Sequence, residues 1–153
     1  MKILIFGLPG SGKTTLAKPF AELINAVHIN ADEVRKRYDD WDFTPEGRLR
    51  QATRMRNIAD FEAANHRWVI CDFVCPTRHA RELFKPNVTI WVDTISEGRF
   101  EDTNKMFEAP ETVDYHIEKY YSDAEIKTLA ETIIIDESEK FNKKLYMNAG
   151  SVA

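Results

Sequence analysis

The stretch GLPGSGKT, residues 7–14, follows the largely apolar run KILIF and precedes TLAKPFAELI. Its spacing of Gly7, four residues and then Gly12-Lys13-Thr14 matches the phosphate-binding pattern G-x-x-x-x-G-K-[ST]. Backbone N–H groups of such a loop wrap a chain of phosphates, which requires glycines that adopt conformations closed to other residues. Lys13 is expected to reach the β- and γ-phosphates, and the Thr14 hydroxyl to complete the shell of a Mg²⁺ ion. The stretch therefore predicts a nucleoside triphosphate site made by Gly7, Pro9, Gly10, Ser11, Gly12, Lys13, Thr14 and Thr15.

The flanking segments support this interpretation, because a phosphate-binding loop joins a buried strand to a helix. The run from Lys2 to Phe6 is typical of a buried parallel strand. After the loop, apolar residues recur at helical spacing, at Leu16, Phe20 and Leu23. Pro19 removes one interior hydrogen bond and is expected to kink this helix.

Segments of strand and helix type alternate along the rest of the chain. We predict strands at 2–6, 26–29, 67–72, 87–92 and 132–135. We predict helices at about 13–24, 31–38, 45–65, 77–84, 122–131 and 137–146, with Ser122-Asp-Ala-Glu125 as a capping box. This alternation indicates an α/β fold of the P-loop nucleoside triphosphate hydrolase type, with a parallel sheet and helices on both faces, as in nucleotide kinases.

Length and charge limit the class of protein. With 153 residues the chain is expected to form a single domain, residues 1–153, and its net charge of −4 does not favour a nucleic-acid partner. The N-terminal apolar run is too short for a membrane span or a signal peptide, so we expect no membrane partner and a cytoplasmic location. Cys71 and Cys75 lack the partners of a zinc site and are interpreted as free thiols of a reducing compartment. The oligomeric state stays open, with a homodimer as one alternative.

Residues 94–121 have the weakest periodicity and mix charged residues with isolated aromatics. In a small phosphotransferase this is the position of a mobile lid that closes over the substrates and excludes water. The alternative is a plain surface loop with a short helix.

An acid and an arginine follow the second predicted strand, in the sequence HINADEVRKRY. Asp32 is expected near the carboxyl end of that strand, on the ligand edge of a parallel sheet. A carboxylate there can accept the proton of an acceptor hydroxyl or orient Mg²⁺, whereas the alternative role is a helix cap. Arg35 lies one helical turn further on and is expected to bind an anionic substrate. Lys13, Asp32 and Arg35 are the predicted catalytic residues.

The third predicted helix has a basic face. It is expected to begin at the cap Thr44 and the first-turn proline Pro45, and its polar side carries Arg48, Arg50, Gln51, Arg54 and Arg56. In an acidic chain, such a face beside a phosphate site indicates anion binding. Phe43 comes just before the cap and is placed to stack on a base.

Four pieces of sequence stand in order: Gly7-Leu-Pro-Gly-Ser-Gly-Lys-Thr-Thr-Leu-Ala17, Asp32-Glu-Val-Arg35, Phe43-Thr-x-x-x-Arg48, and Phe73-Val-Cys-Pro76 followed by Arg78 and Arg81. Together, over roughly residues 1–85, they resemble the adenylylsulfate kinases, which use Mg-ATP to phosphorylate the 3′-hydroxyl of adenosine 5′-phosphosulfate. The resemblance implies ATP as co-substrate and Mg²⁺ as cofactor, with Asp32 as the acid and Arg35 as a substrate arginine. It also implies that Phe43 stacks on the substrate adenine and that Arg48 and Gln51 bind its phosphosulfate side.

Several positions depart from the pattern of that family. Asn30 stands where the family motif D-G-D-x-V-R has its first aspartate, and Gln51 replaces an asparagine. Cys75 replaces the serine of F-I-S-P. Asp72 is acidic where the family has a small residue, and we expect it either to hold Mg²⁺ through water, together with Thr14, or to be a local structural acid.

Two other functions stay open. The segment Asn30-Ala-Asp32-Glu-Val-Arg35 also resembles the N-R-D-x-x-R pattern of polynucleotide 5′-kinases, which predicts a basic channel with stacking aromatics. A non-catalytic regulator would use the ATP site as a switch. A GTPase is disfavoured, because Asn104-Lys-Met-Phe107 lacks the aspartate of the base-reading motif. In a kinase, Arg78 or Arg99 is expected to add a second positive clamp on the transferring phosphoryl group.

Overall fold

Strands and helices alternate along the computed structural model, which describes residues 1–152, with side chains to residue 148. The strands are β1 (Lys2–Phe6), β2 (Val27–Asn30), β3 (Val69–Asp72), β4 (Val88–Val92) and β5 (Tyr115–Ile117). The helices are α1 (Lys13–Ile24), α2 (Ala31–Tyr38), α3 (Pro45–Ala63), α4 (Arg78–Phe84), α5 (Glu101–Met106) and α6 (Asp123–Val152).

The strands form one parallel sheet in the order β2-β3-β1-β4-β5. This arrangement confirms the predicted α/β fold with a parallel sheet. β1 lies at the centre, and its residues Ile3 to Phe6 are fully buried, as the apolar run predicts. Because parallel strands all end at the same edge, the loops that follow them gather there and form the usual ligand edge of such a sheet.

The register of the sheet brings polar side chains to that edge. Asp72 is the partner of Ile5 in β1 and of Asn30 in β2. Two residues that are far apart in sequence, Asn30 and Asp72, therefore lie side by side next to the loop that follows β1.

The starts of the helices follow the predicted local signals. The Thr44 hydroxyl accepts a hydrogen bond from Gly47 N at 3.2 Å, and Pro45 occupies the first turn of α3. A Cβ on Gly47 would lie 2.2 Å from the carbonyl oxygen of Asp42, so only glycine fits there. α1 runs from Lys13 to Ile24 with Pro19 inside it, so this proline does not end the helix.

The element boundaries near the N-terminus match the prediction within two residues, whereas those near the C-terminus do not. The strand predicted at 132–135 is wrong, and the helices predicted at 122–131 and 137–146 belong to one helix, α6. The predicted capping box is confirmed: Ser122 Oγ accepts from Glu125 N at 3.2 Å, and Glu125 Oε1 accepts from Ser122 N at 3.1 Å. The run Thr132-Ile-Ile-Ile135 is β-branched, but such residues cost a helix interior only about a few tenths of a kcal/mol each. A capped helix accommodates that cost.

The fifth strand is Tyr115–Ile117, three residues inside the segment 94–121. The same segment contains α5, a short helix of the kind that the loop alternative includes, whereas β5 was not predicted. The described chain divides into two compact units, Met1–Tyr120 and a second that begins at Tyr121. Whether residues 94–121 move as a lid, and whether the chain acts as one domain, stay predictions; residue 153 lies outside the described residues. Within the described residues, no helix is both long enough and apolar enough to cross a membrane.

Candidate active site

The loop between β1 and α1 follows a path that its glycines permit. Gly10 has a φ of 84° and Gly12, the residue before α1, a φ of 97°, both in the left-handed region that favours glycine. A Cβ on Gly7 would lie 2.3 Å from the carbonyl oxygen of Val92. The loop therefore presents the N-terminus of α1, where N–H groups and the helix dipole attract phosphate.

Two polar groups of this loop suit an anionic ligand. Ser11 Oγ is buried and has no hydrogen-bond partner among the described residues, which marks a polar atom that a ligand or water can satisfy. Lys13 Nζ donates to the carbonyl oxygen of Leu8 at 2.9 Å. Burial lowers the pKa of Lys13 from 10.5 to about 8, and the charges of Asp72 and Asp32 oppose this shift. A phosphate in the loop would give both groups a better partner.

Asp72 joins three elements at the sheet edge, and it is only 2% exposed. Its Oδ1 accepts from the Thr14 hydroxyl and from the Asn30 amide, both at 3.0 Å. Its Oδ2 accepts from His28 Nε2. The carboxylate is therefore hydrogen-bonded to the end of the phosphate loop on one side and to β2 on the other.

These oxygens fit a hard divalent cation bound together with a nucleotide. Mg²⁺ prefers oxygen ligands and is usually held by one or two protein oxygens, with phosphates and waters in the remaining positions. Thr14 Oγ1 and Asp72 Oδ1, 3.0 Å apart, supply such a pair. In the part of the chain that the structure describes, no three His, Cys, Asp or Glu side chains form a metal cluster. The site thus suits a metal ion that protein and nucleotide oxygens bind together, and not an ion that protein ligands alone enclose.

Asp32 lies in the first turn of α2 and is exposed. Its alternative role as the helix cap is wrong, because the cap is Asn30, whose Oδ1 accepts from Glu33 N at 3.1 Å. Burial lowers the pKa of Arg35, and the charge of Asp32 partly opposes this shift, as it does for Lys13. Asp32 therefore lies within electrostatic range of both predicted catalytic cations, and its carboxylate is open to a ligand.

The aromatic ring of Phe43 is contacted by two guanidinium groups and remains 49% exposed. The Cζ atoms of Arg35 and Arg48 lie 4.3 Å and 5.3 Å from the ring centroid. Arg48 Nη2 also donates to Thr103 Oγ1 of α5 at 2.6 Å. Burial lowers the pKa of Arg48, and burial together with the charge of Arg48 lowers that of Arg35. The structure thus brings together three of the four predicted acceptor residues. Arg35 itself is buried, and its Nη1 donates to the carbonyl oxygens of Asp40 and Asp42 at 2.9 Å and 3.2 Å. Phe43 and Arg48 are therefore the two of them that have surface open to a ligand.

Gln51, the fourth, has a different environment. It is 3% exposed, its Nε2 donates to the carbonyl oxygen of Ala31 at 3.0 Å, and its Oε1 accepts from Arg54 Nη1 at 3.0 Å. Both ends of the amide are therefore occupied by the protein. Gln51 ties α3 to the start of α2, so any effect on an acceptor would pass through the position of Asp32.

Other arginines of the basic face bind carboxylates of the chain. Asp40 accepts from Arg50 at 2.7 Å and 3.1 Å and from Arg54 at 2.6 Å, and these bonds hold its pKa well below the usual range. Asp42 pairs with Arg50 at 3.0 Å. Arg56 donates to Asn57 Oδ1 at 3.5 Å. The anion binding predicted for this helix face is thus left to Arg48 and Arg56, of which Arg48 contacts Phe43.

The arginines expected to form a second clamp have other partners. Arg78 Nη2 donates to Glu111 Oε1 at 2.7 Å, and Arg99 lies 5.6 Å from the ring centroid of Phe100. Arg81 is buried, donates to the carbonyl oxygens of Pro76 and Glu108, and packs over the ring of Phe6. Among the described contacts, none connects these arginines to the phosphate loop.

Residues 94–121 contact the phosphate loop and α3 at several points. Thr94 Oγ1 donates to the carbonyl oxygen of Ser11 at 2.6 Å. The ring of Tyr120 lies 3.0 Å from the position of a Cβ on Gly12, and its hydroxyl donates to the carbonyl oxygen of Gly10 at 3.3 Å. Together with the Thr103–Arg48 bond, these contacts place the predicted lid segment against both the phosphate loop and Arg48 of α3.

Four residues of this site were not predicted from the sequence: His28, Thr94, Thr103 and Tyr120. His28 precedes Asn30 by two residues and so lies on the same face of the strand. The sequence alone could therefore have placed His28 near this site. The contacts of Thr94, Thr103 and Tyr120 join segments distant in sequence, and no local pattern marks them.

The sheet order and the phosphate loop define a nucleotide-binding P-loop domain. The chain belongs to the AAA domain family, whose model matches residues 3–101. It is 37% identical over 92 residues, 54% of this chain and 49% of the relative, to a probable adenylyl-sulfate kinase from Aeropyrum pernix. The chain spans about half the length of this curated relative. The resemblance to adenylylsulfate kinases is thereby confirmed.

Two solved structures share the fold. An APS kinase from Mycobacterium tuberculosis, in complex with AMPPNP and APS, has a TM-score of 0.69 and 18% identity, over 87% of this chain and 94% of that chain. A sugar kinase from Janibacter sp. HTCC2649 has a TM-score of 0.67 and 19% identity, over 86% of this chain and 92% of that chain. The fold therefore occurs with more than one kind of small acceptor.

Proposed function

We propose that the chain is an ATP-dependent kinase whose acceptor is the 3′-hydroxyl of adenosine 5′-phosphosulfate. The four motif pieces and the relative from Aeropyrum pernix support this proposal. The observation that carries it is the exposed ring of Phe43 beside the half-buried guanidinium of Arg48, with the buried Arg35 packed against the same ring. A planar base can stack on such a ring, and charge-assisted hydrogen bonds from arginine suit a phosphosulfate.

The chain's own residues supply the parts of an in-line transfer. The phosphate loop and Lys13 would hold the β- and γ-phosphates, and their N–H groups and charge would stabilise the transferring oxygens. Asp32 would accept the proton of the acceptor hydroxyl as its oxygen bonds to the γ-phosphorus. The bond between that phosphorus and the bridging oxygen breaks, and ADP leaves with the electron pair. General-base help of this kind is worth roughly 10²–10⁴-fold in rate.

Mg²⁺ belongs to this proposal as the cofactor that neutralises phosphate charge when it is bound. Thr14 would be its direct protein ligand, and Asp72 would hold it through water. The proposal places the reaction in the cytoplasm, where the free thiols Cys71 and Cys75 stay reduced. A homodimer is the assembly to test, since Phe141 and Leu145 leave an exposed apolar strip on α6.

A second candidate is transfer to a different small hydroxyl compound, such as a sugar. It is favoured by the sugar kinase that shares the fold and by the engagement of Gln51 with the protein. A polynucleotide acceptor has less support, because Arg50 and Arg54 are neutralised by Asp40 and form no open basic channel.

The test is ADP release measured with a panel of acceptors: adenosine 5′-phosphosulfate, simple sugars, and an oligonucleotide with a 5′-hydroxyl. We expect turnover with adenosine 5′-phosphosulfate and a KM for it that depends little on salt, because a single small anion releases few counterions. A steep salt dependence with the oligonucleotide, and no reaction with adenosine 5′-phosphosulfate, would refute the proposal.

The variant Arg48→Ala, with Arg56→Ala as its matched control, locates the acceptor. Both remove one positive charge from α3, but only Arg48 contacts Phe43. We expect Arg48→Ala to raise the KM for the acceptor about ten- to a hundred-fold, the loss of one charge-assisted bond, and to leave the KM for ATP unchanged. Equal effects of the two variants would remove Arg48 from the site.

A further inference from the structure

His28 occupies a position at the sheet edge that no motif assigns. It lies on β2 two residues before Asn30, so the two side chains share one face of the strand. Asn30 is the register partner of Asp72, and His28 is the partner of Ile70. His28 therefore reaches Asp72 diagonally across the β2–β3 pair, a separation that long and aromatic side chains can span.

The two oxygens of Asp72 have different partners. Oδ1 takes the bonds from Thr14 and Asn30, both at 3.0 Å. Among the described residues, His28 is the one partner of Oδ2. An ionised carboxylate only accepts hydrogen bonds, so the Nε2–H of His28 donates. Both oxygens of the carboxylate are thus hydrogen-bonded.

Holding Oδ2 also determines the direction of Oδ1. The terminal torsion of an aspartate has a broad minimum, so Asp72 is free to rotate unless both oxygens are bonded. If the bond to His28 is lost, one buried oxygen has no partner and the carboxylate turns to find one. Oδ1 would then no longer be directed at Thr14 and the phosphate loop.

We propose that His28 is a positioning residue that fixes the Asp72 carboxylate for a metal–nucleotide complex in the phosphate loop. This inference rests on the proposed Mg²⁺–ATP site but not on the identity of the acceptor. His28 touches neither nucleotide nor metal and acts through Asp72. Partners of this kind, one step removed from the metal, typically change metal affinity about 10- to 100-fold when they are replaced.

The experiment measures the affinity of the full chain for ADP by calorimetry, with and without Mg²⁺, at one fixed pH. The ratio of the two dissociation constants gives the contribution of the metal. His28→Leu removes the donor at similar size, His28→Gln keeps a donor, and His79→Gln is the control at an exposed histidine of α4. Thermal unfolding of each variant reports whether it is folded.

We expect His28→Leu to reduce the contribution of Mg²⁺ by about ten-fold or more, with an unchanged affinity for metal-free ADP. His28→Gln should restore most of the contribution, and His79→Gln should behave as the wild type. Loss of metal-free and Mg²⁺-dependent affinity to the same extent would overturn the proposal, since it would indicate a merely structural role. If His28→Leu is unfolded, failure of His28→Gln to retain the contribution of Mg²⁺ refutes the proposal by itself.

The outcome separates this inference from the proposed function. A wild type whose ADP affinity does not respond to Mg²⁺ would overturn both the metal site and the role of His28. A wild type that responds to Mg²⁺, but whose His28→Leu variant responds equally, would overturn the role of His28 alone. Neither outcome involves the acceptor.

Discussion

The partly buried ammonium of Lys13 should make nucleotide binding sensitive to pH above neutrality. Its Nζ has one hydrogen-bond partner, the carbonyl oxygen of Leu8 at 2.9 Å, and burial lowers its pKa to about 8. Since one pKa unit corresponds to about 1.36 kcal/mol, the shift from 10.5 to about 8 means that the folded chain disfavours the charged form by roughly 3 kcal/mol. A phosphate in the loop binds the charged form of Lys13. Where Lys13 is uncharged in the free protein, it must therefore take up a proton when the phosphate binds.

The size of the pH effect on ADP affinity follows from the fraction of Lys13 that is charged. With a pKa of about 8, roughly three quarters of Lys13 is charged at pH 7.5 and about 3% at pH 9.5. The affinity for ADP should therefore fall about twenty-fold between these pH values, whereas an unshifted lysine would change it by only about 10%. The phosphates of ADP stay ionised throughout, because a phosphate monoester has its second pKa near about 6.

The assay is a calorimetric titration with ADP in the absence of metal, at intervals from pH 7.5 to 9.5. Lys13→Met is the control, with a weak affinity that does not change over this range. A wild-type affinity that is constant to pH 9.5 would refute the reasoning. Stability gives a second measurement: between pH 8 and 10.5 the folded chain binds fewer protons than the unfolded chain, so the wild type should gain stability relative to Lys13→Met as the pH rises.

Three further predictions concern Asp32, Gln51 and the register pair Asn30–Asp72. Asp32→Asn should cut turnover by about 10²–10⁴-fold with ADP affinity unchanged; a normal rate would remove the general base. Gln51→Leu leaves the carbonyl oxygen of Ala31 without its donor and should lower the free energy of unfolding by about 1–3 kcal/mol in a urea titration; an unchanged midpoint would show that the link from Gln51 to Ala31 does not stabilise the fold. Asp72→Ser should abolish the effect of Mg²⁺ on ADP affinity, and Asn30→Asp added to it should restore that effect; a double variant as insensitive to Mg²⁺ as the single one would show that the two positions are not interchangeable.

The N-terminal half of the fold was predictable because its signals are local. A buried apolar strand, a glycine pattern and a capped helix with Pro45 in its first turn each act over a few residues. β5 was missed because Tyr115–Ile117 is three residues long and is specified by pairing with β4, a contact that local sequence does not encode. The β-branched run at 132–135 was assigned wrongly to a strand, because β-branched residues cost a helix interior only about a few tenths of a kcal/mol each and the helix begins at a capping box.

The candidate site was predictable to the extent that its residues sit in motifs. Phe43, Arg35 and Arg48 were each placed from sequence, and the structure brings them together. Gln51 occurs in the same motif, but its environment is decided by Ala31 and by Arg54, which only the packing of α2 against α3 shows. A motif predicts which residues are near a site, whereas packing decides which of them face it.

The strand register gives a physical meaning to two departures from the family pattern. In sequence, Asn30 in place of an aspartate and Asp72 in place of a small residue are separate differences, 42 positions apart. In the sheet they are register partners, joined by a hydrogen bond of 3.0 Å, and both contact Thr14. The pair keeps one carboxylate beside the phosphate-loop hydroxyl but carries it on β3 and not on β2. A carboxylate on β3 is more deeply enclosed and needs its second oxygen satisfied, which is the role that His28 fills from the neighbouring strand. The three residues therefore act as one unit, and replacing any of them alone should be more damaging than exchanging the carboxylate and its partner together.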